Sequence, residues 1–265
     1  MKPVDYAFFK ENGYISLGKI LSDAEVEHFV HIFDRDHTEV EDHWYRIGHY
    51  QTVNCDALLT SPEFDNVIRH PIVMDCLHTL MGNAPCFSEI CIRHMAPYDG
   101  ELNRGWHRDG PKHWLEHPLM LYLTDVDETT HCFSLSPESV DAEILESDAQ
   151  LERGGIVDLY GPAGTAILFN IGVLHTATTR PTQEERKTVQ VYYGHPHRQY
   201  LSEDSLIPVE LWRDHPDPEV RAFYSVLNNK TRAYLEHTAS MNELSFEDTL
   251  VLLRELDVKH RKRSE

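Results

Sequence analysis

The chain has 265 residues, 41% hydrophobic and 26% charged, the balance of an ordinary globular protein that can bury a core. With 24 Lys and Arg against 44 Asp and Glu, its formal charge of -20 repels phosphate backbones and anionic lipid, so neither nucleic acid nor a membrane surface is expected as a partner. Five cysteines without a CxxC pair suggest neither a disulfide framework nor a thiolate zinc site; with an N-terminus that lacks an apolar signal core, they fit a soluble cytoplasmic protein.

The first 85 residues predict helices with short strands. GYISLGKI has the texture of a strand. Ser22 or Asp23 is placed to cap a helix through AEVEHFVHIFDRDH, in which Val26, Phe29, Val30 and Phe33 recur at helical spacing. SPEFDNVIRHPIVMDCLHTLMG predicts a second helical stretch, broken near Pro71 because proline disfavours a helical residue before it, and stopped by Gly82.

From about residue 86 to residue 200 the texture changes to short strand-like runs between turn residues, the pattern of an antiparallel sandwich or barrel. The main runs are CFSEICIRHM, PLMLYLTDV, HCFSLS, GTAILFN and RKTVQVYYG. After residue 205 helical periodicity returns in EVRAFYSVLNN, RAYLEHT and FEDTLVLLREL. The closing Lys259, Arg261, Lys262 and Arg263 read as a solvated end. No linker or repeat divides the chain, so one domain over 1–265 is expected: a helical N-terminal region over residues 1–85, a β core over 86–200 and helices over 205–258.

RGWHRDG places His107 and Asp109 two residues apart, and in an extended segment such residues share a face. One more His from a neighbouring strand would complete a 2-His-1-carboxylate facial triad, which leaves metal positions open for a co-substrate and oxygen. A second His-x-Asp triplet, His215 to Asp217, lies between prolines and reads as an irregular connection. The company downstream separates the two. His175 closes GTAILFNIGVLHTA, a strand-like run with a kink at Gly172, and Arg186 follows eleven residues later.

On the strand RKTVQVYYG, Arg186, Thr188, Gln190 and Tyr192 share one face, a polar one suited to a barrel interior. The planar guanidinium of Arg186 suits the distal carboxylate of a dicarboxylic acid, and the Thr188 hydroxyl could add to it. In the preceding strand SEICIRHM, Arg93 and His94 are both candidates to face the same ligand.

The order WHxD, LHTA and then Arg closely resembles the phytanoyl-CoA hydroxylase family of iron/2-oxoglutarate oxygenases. Similarity extends to FFKENGYISLGKILSDAEVEHF and SPEFDNVIRHPIVMDCLHTLMG, covering most of residues 5–195. The resemblance implies a mainly β fold with flanking helices, a double-stranded β-helix of the jelly-roll, cupin-like kind. It also implies His107, Asp109 and His175 as ligands of Fe(II) and Arg186 as the anchor of 2-oxoglutarate, with O2 as co-substrate. The expected activity is oxidation, most simply hydroxylation, of a C–H bond in a small molecule, with 2-oxoglutarate converted to succinate and CO2. A non-catalytic cupin-like binder and an oxygenase of protein side chains are the alternatives.

One segment departs from the family pattern. Where members have an Asn-Gly-Cys turn and a Pro-Gly-Ser-His segment, this chain reads TTHCFSLSPESV, from Thr129 to Val140. The family's lipid-like substrate is therefore not implied, and the acidic charge predicts a small prime substrate that is not strongly anionic. Arg93, Arg104, Arg108 and Lys112 lie near the metal motif in sequence and could make a local basic entrance.

Overall fold

The computed structural model describes residues 5–47, 50–82, 84–196, 202 and 204–239. In chain order the strands are β1 (Tyr14–Lys19), β2 (Tyr45–Ile47), β3 (Gln51–Asn54), β4 (Cys86–Met95), β5 (Asn103–Arg104) and β6 (Leu119–Tyr122). They continue as β7 (Cys132–Leu135), β8 (Val157–Leu159), β9 (Thr165–Phe169), β10 (His175–Thr179) and β11 (Arg186–Gly194). A large antiparallel sheet runs β1-β9-β6-β11-β4-β3-β2, and a small one β5-β10-β7-β8. From β4 onward the chain alternates between them except at the β7–β8 pair, with β4, β6, β9 and β11 in the large sheet and β5, β7, β8 and β10 in the small one. That alternation is the double-stranded β-helix.

Both faces of the large sheet are buried, which is why runs such as PLMLYL read as continuously apolar rather than alternating. On one face Leu119, Leu121, Leu168, Val189 and Val191 join a core with Phe29, Phe33 and Phe64 from the N-terminal helices and Val220 and Tyr224 from the C-terminal ones. On the other, Met120, Tyr122, Ile167 and Phe169 meet Phe133, Leu135 and Leu159 of the small sheet. Side-chain alternation along one strand thus sends Leu121 to the helices and Tyr122 into the barrel.

Local signals in the N-terminal region are realised closely. Ser22 caps the helix Asp23–Glu39 in a capping box: its hydroxyl accepts from the Glu25 amide, and the Glu25 carboxylate accepts from the Ser22 amide at 2.7 Å. The second helix, Pro71–Met81, ends at Gly82 in the left-handed conformation, φ +67°. Asp217 caps the helix Pro218–Phe223, so the second His-x-Asp triplet serves a turn. FEDTLVLLREL and the basic tail lie outside the described residues. Among the described residues, no helix is long and apolar enough to cross a membrane.

Two expectations are corrected. GTAILFNIGVLHTA is not one kinked strand: β9 lies in the large sheet and β10 in the small one. The Asn170 side chain builds the corner between them, accepting from the Gly172 amide at 2.9 Å and donating to the Lys112 carbonyl. Gly172 is needed there because a Cβ would sit 2.5 Å from the Lys112 backbone nitrogen. The second correction concerns cysteine. Cys55 and Cys91 are joined in a disulfide, because the register that pairs Asn54 with Ile92 continues to bring those two residues side by side. A cysteine count carries no information about such pairing.

Candidate metal centre

The short β5 strand pairs with β10, Arg104 opposite Thr178, and the same register carries on beyond β5 to His107 and His175. Each of those two residues donates its amide to the other's carbonyl at 3.0 Å. The chain thus delivers two imidazoles side by side from segments 68 positions apart, with ring centroids 4.4 Å from each other. Asp109 lies in a bend rather than a strand, its amide donating to the Ile171 carbonyl at 3.3 Å. The expected juxtaposition of His107 and Asp109 is met through this anchored loop.

The Asp109 carboxylate faces both rings, with Oδ1 3.5 Å from His107 Nε2 and Oδ2 3.3 Å from His175 Nε2. One ligand atom from each of the three residues lies within 4.8 Å of the others. Both rings donate Nδ1–H to backbone carbonyls, His107 to Gly105 at 2.8 Å and His175 to Val173 at 2.9 Å. That turns Nε2 of each ring toward the carboxylate. Burial alone would raise the Asp109 carboxyl, but hydrogen bonds and charge from His175, with the Tyr192 hydroxyl and His107, hold it well below the usual range. Burial and the neighbouring His175 push His107 down, toward the neutral ring a metal needs. Two imidazole Nε2 atoms and a carboxylate converging on one point are a donor set that fits iron(II).

Around this cluster the barrel interior is polar. Tyr192 donates its hydroxyl to Asp109 Oδ2 at 2.6 Å, and Gln190 donates its amide to that hydroxyl at 2.6 Å. Further along the same face Thr188 and Arg186 are buried, Arg186 to 1% exposure. Arg186 pairs with neither Glu184 nor Glu185; Glu185 bonds Lys187 and His94 instead. Its Nε and Nη1 have no partner among the described residues, nor has the Thr188 hydroxyl. Such a guanidinium, unpaired in a buried interior, is costly unless an anion joins it, so this wall fits a carboxylate ligand.

Strand register separates the two β4 candidates. Arg93 lies opposite Thr188 and faces the interior, where its Nε is buried without a partner among the described residues, whereas His94 lies opposite Lys187 on the other face. His94 stacks near His37 and bonds Glu185 at 2.8 Å, so the structure does not bring it to the cluster. The local basic entrance shrinks as well. Arg104 is engaged by Asp158, and Arg108 and Lys112 by Glu138. His131 serves the scaffold through the Ala96 carbonyl and the Arg180 amide, and His117 packs against Phe9. His197 lies outside the described residues. Tyr192 and Gln190 were visible in the sequence only as members of the polar face.

The phytanoyl-CoA dioxygenase family model matches residues 9–188. Among curated protein sequences none matches the chain. Solved structures do. The non-heme alpha ketoglutarate dependent epimerase SnoN from nogalamycin biosynthesis is similar with a TM-score of 0.62 at 17% identity, covering 71% of this chain and 80% of that one. EctD from S. alaskensis, solved with 2-oxoglutarate and 5-hydroxyectoine, is similar with a TM-score of 0.63 at 18% identity over 81% of this chain and 84% of that one. The carbocyclase SnoK, also from nogalamycin biosynthesis, reaches 0.61 at 20% identity, over 71% of this chain and 81% of that one. At these identities the likeness establishes a shared fold.

Proposed function

Because the chain belongs to the phytanoyl-CoA dioxygenase family, iron(II)- and 2-oxoglutarate-dependent oxygenases, we propose that it hydroxylates a C–H bond of a small molecule while 2-oxoglutarate becomes succinate and CO2. One observation carries this reading: a two-imidazole, one-carboxylate cluster shares the barrel interior with a buried guanidinium that has no anionic partner among the described residues. A binder without turnover has no use for both.

In this reading His107 and His175 hold the metal through Nε2 and Asp109 through its carboxylate. Bound iron supplies the oxidising chemistry that couples breakdown of 2-oxoglutarate with dioxygen to oxidation of the substrate. The chain's own work is positioning. Tyr192 orients Asp109 by its hydrogen bond, and the carbonyls of Gly105 and Val173 orient the two rings. Arg186 binds the distal carboxylate of 2-oxoglutarate with the Thr188 hydroxyl, and Arg93 supplies positive charge between that end and the metal. Phe133 and Phe169, whose rings lie 5.6 and 4.9 Å from that of His175, keep water from one side of the centre.

Small-molecule chemistry is supported by the structural neighbours, since EctD was solved with 5-hydroxyectoine and SnoN with nogalamycin RO. The charge of -20, with Arg104, Arg108 and Lys112 engaged by carboxylates, supports a substrate that is not strongly anionic. We treat residues 1–265 as one oxygenase domain, supported by an apolar cluster that joins Phe9 to Tyr224. The test is a screen of amino acids, amines, uncharged scaffolds and acyl-CoA thioesters, with Fe(II), 2-oxoglutarate and oxygen. Substrate-dependent succinate and a product heavier by one oxygen are expected. A product that has lost two hydrogens instead would exclude hydroxylation, and strong coupled turnover of an acyl-CoA would exclude the substrate class.

A further inference from the structure

The segment that departs from the family pattern, Pro137-Glu138-Ser139-Val140, buries a carboxylate where family members have the glycine of Pro-Gly-Ser-His. The Glu138 side chain is fully buried, 0% exposed, and takes ligands on both oxygens. Its Oε1 accepts from the Leu174 amide at 2.9 Å and from Arg108 Nη1, which also donates to the Gly172 carbonyl. Its Oε2 lies 2.7 Å from Lys112 Nζ and 3.5 Å from Arg153 Nη2.

The two oxygens do different things. Arg108 stands between His107 and Asp109, and Leu174 directly precedes His175, so Oε1 joins residues that neighbour all three proposed ligands. The ligands come from two separate segments, the loop before β6 and the start of β10, and their relative placement decides whether three donor atoms meet. Oε2, by contrast, tethers the carboxylate to Lys112 and Arg153, whose other side-chain bonds run to the 139–150 region. Filling this place for packing alone would not call for a charge, because burying one costs several kcal/mol of desolvation that an apolar side chain avoids.

We propose that Glu138 is a positioning residue of the metal centre, clamping the His107–Asp109 loop to the start of β10 through its Oε1; this rests on the reading of His107, Asp109 and His175 as metal ligands. It acts through Arg108 and the Leu174 amide and touches no ligand side chain itself.

The experiment compares anaerobic Fe(II) affinity with thermal stability in the full chain for Glu138→Gln, Arg108→Met, their double variant, Lys112→Met and His107→Ala. Outer-sphere partners of metal ligands typically contribute about 10–100-fold to affinity. Glu138→Gln, which takes the charge from the acceptor, and Arg108→Met, which deletes the donor, should each weaken Fe(II) binding by about tenfold or more, and the double variant should be no worse than the more affected single, since both act on one clamp. Lys112→Met, which removes only an Oε2 partner, should lower the melting temperature while changing affinity by less than about twofold. Wild-type affinity in Glu138→Gln and Arg108→Met, or affinity falling in step with stability across all variants, overturns the clamp. If Glu138→Gln fails to fold, Arg108→Met with Lys112→Met carries the same comparison. Unchanged affinity in His107→Ala would instead sink the ligand assignment, and the clamp with it.

Discussion

The Tyr192 hydroxyl donates to Asp109 Oδ2 at 2.6 Å, tying the polar face of β11 to the loop that carries two of the proposed iron ligands. Gln190 steadies that hydroxyl from the same face at 2.6 Å. Tyr192→Phe keeps the ring's volume and deletes the donor, leaving Asp109 free to rotate away from His175. Anaerobic titration should show Fe(II) affinity reduced by about tenfold or more, with stability little changed. Wild-type affinity would mean that His175 alone orients Asp109.

Arg186 and His94 make a paired test of the co-substrate wall. Removing one partner of a buried charged pair typically costs about 2 kcal/mol or more, roughly thirtyfold in affinity. Arg186→Ala should therefore raise the 2-oxoglutarate requirement by at least that factor while leaving Fe(II) affinity within about twofold. His94→Ala, on the opposite face of β4 and bonded to Glu185, should leave the requirement at the wild-type value. A large effect of His94→Ala would contradict the register argument that separates it from Arg93.

A pH dependence follows from His117, which burial, with a smaller contribution from His195, pushes down to about 3. An unfolded chain protonates this ring near its ordinary value of about 6.5, so between those limits the unfolded state binds more protons than the folded one. Stability is therefore full above pH 6.5 and is lost as pH falls toward 3, by up to about 1.4 kcal/mol per pH unit. His117→Phe should flatten this dependence, since Nδ1 has no hydrogen-bond partner among the described residues and the ring packs on Phe9. Urea unfolding at pH 7 and pH 5 measures it: the difference between the two pH values should shrink by about 1 kcal/mol or more, and an unchanged difference would contradict the assignment.

Sequence carried the local chemistry well. The Ser22 cap, the break at Pro71 and the stop at Gly82 are each set by a few neighbouring residues. The polar alternation of β11 likewise put Arg186, Thr188, Gln190 and Tyr192 on one face. Strand pairing is non-local and was not legible. Only the register of β11 on β4 turns Arg93 inward and His94 outward, and only β3 on β4 brings Cys55 to Cys91. The turn at Asn170 that moves the chain from one sheet to the other was hidden for a similar reason, because its Lys112 contact comes from 58 residues away. Glu138 was visible merely as a departure; its partners converge from two segments far apart in sequence, Arg108 and Lys112 from the loop before β6 and Leu174 from the turn before β10.

Iron on His107, Asp109 and His175 and 2-oxoglutarate on Arg186 would share one barrel interior. Anaerobic addition of Fe(II) and 2-oxoglutarate to the purified protein tests it directly, through the visible charge-transfer absorption of a 2-oxoglutarate chelate on iron. A band is expected that saturates at equimolar iron, vanishes in Asp109→Ala, and in Arg186→Ala returns only at much higher 2-oxoglutarate. No band in the wild-type protein, or an undiminished band in Asp109→Ala, would contradict it.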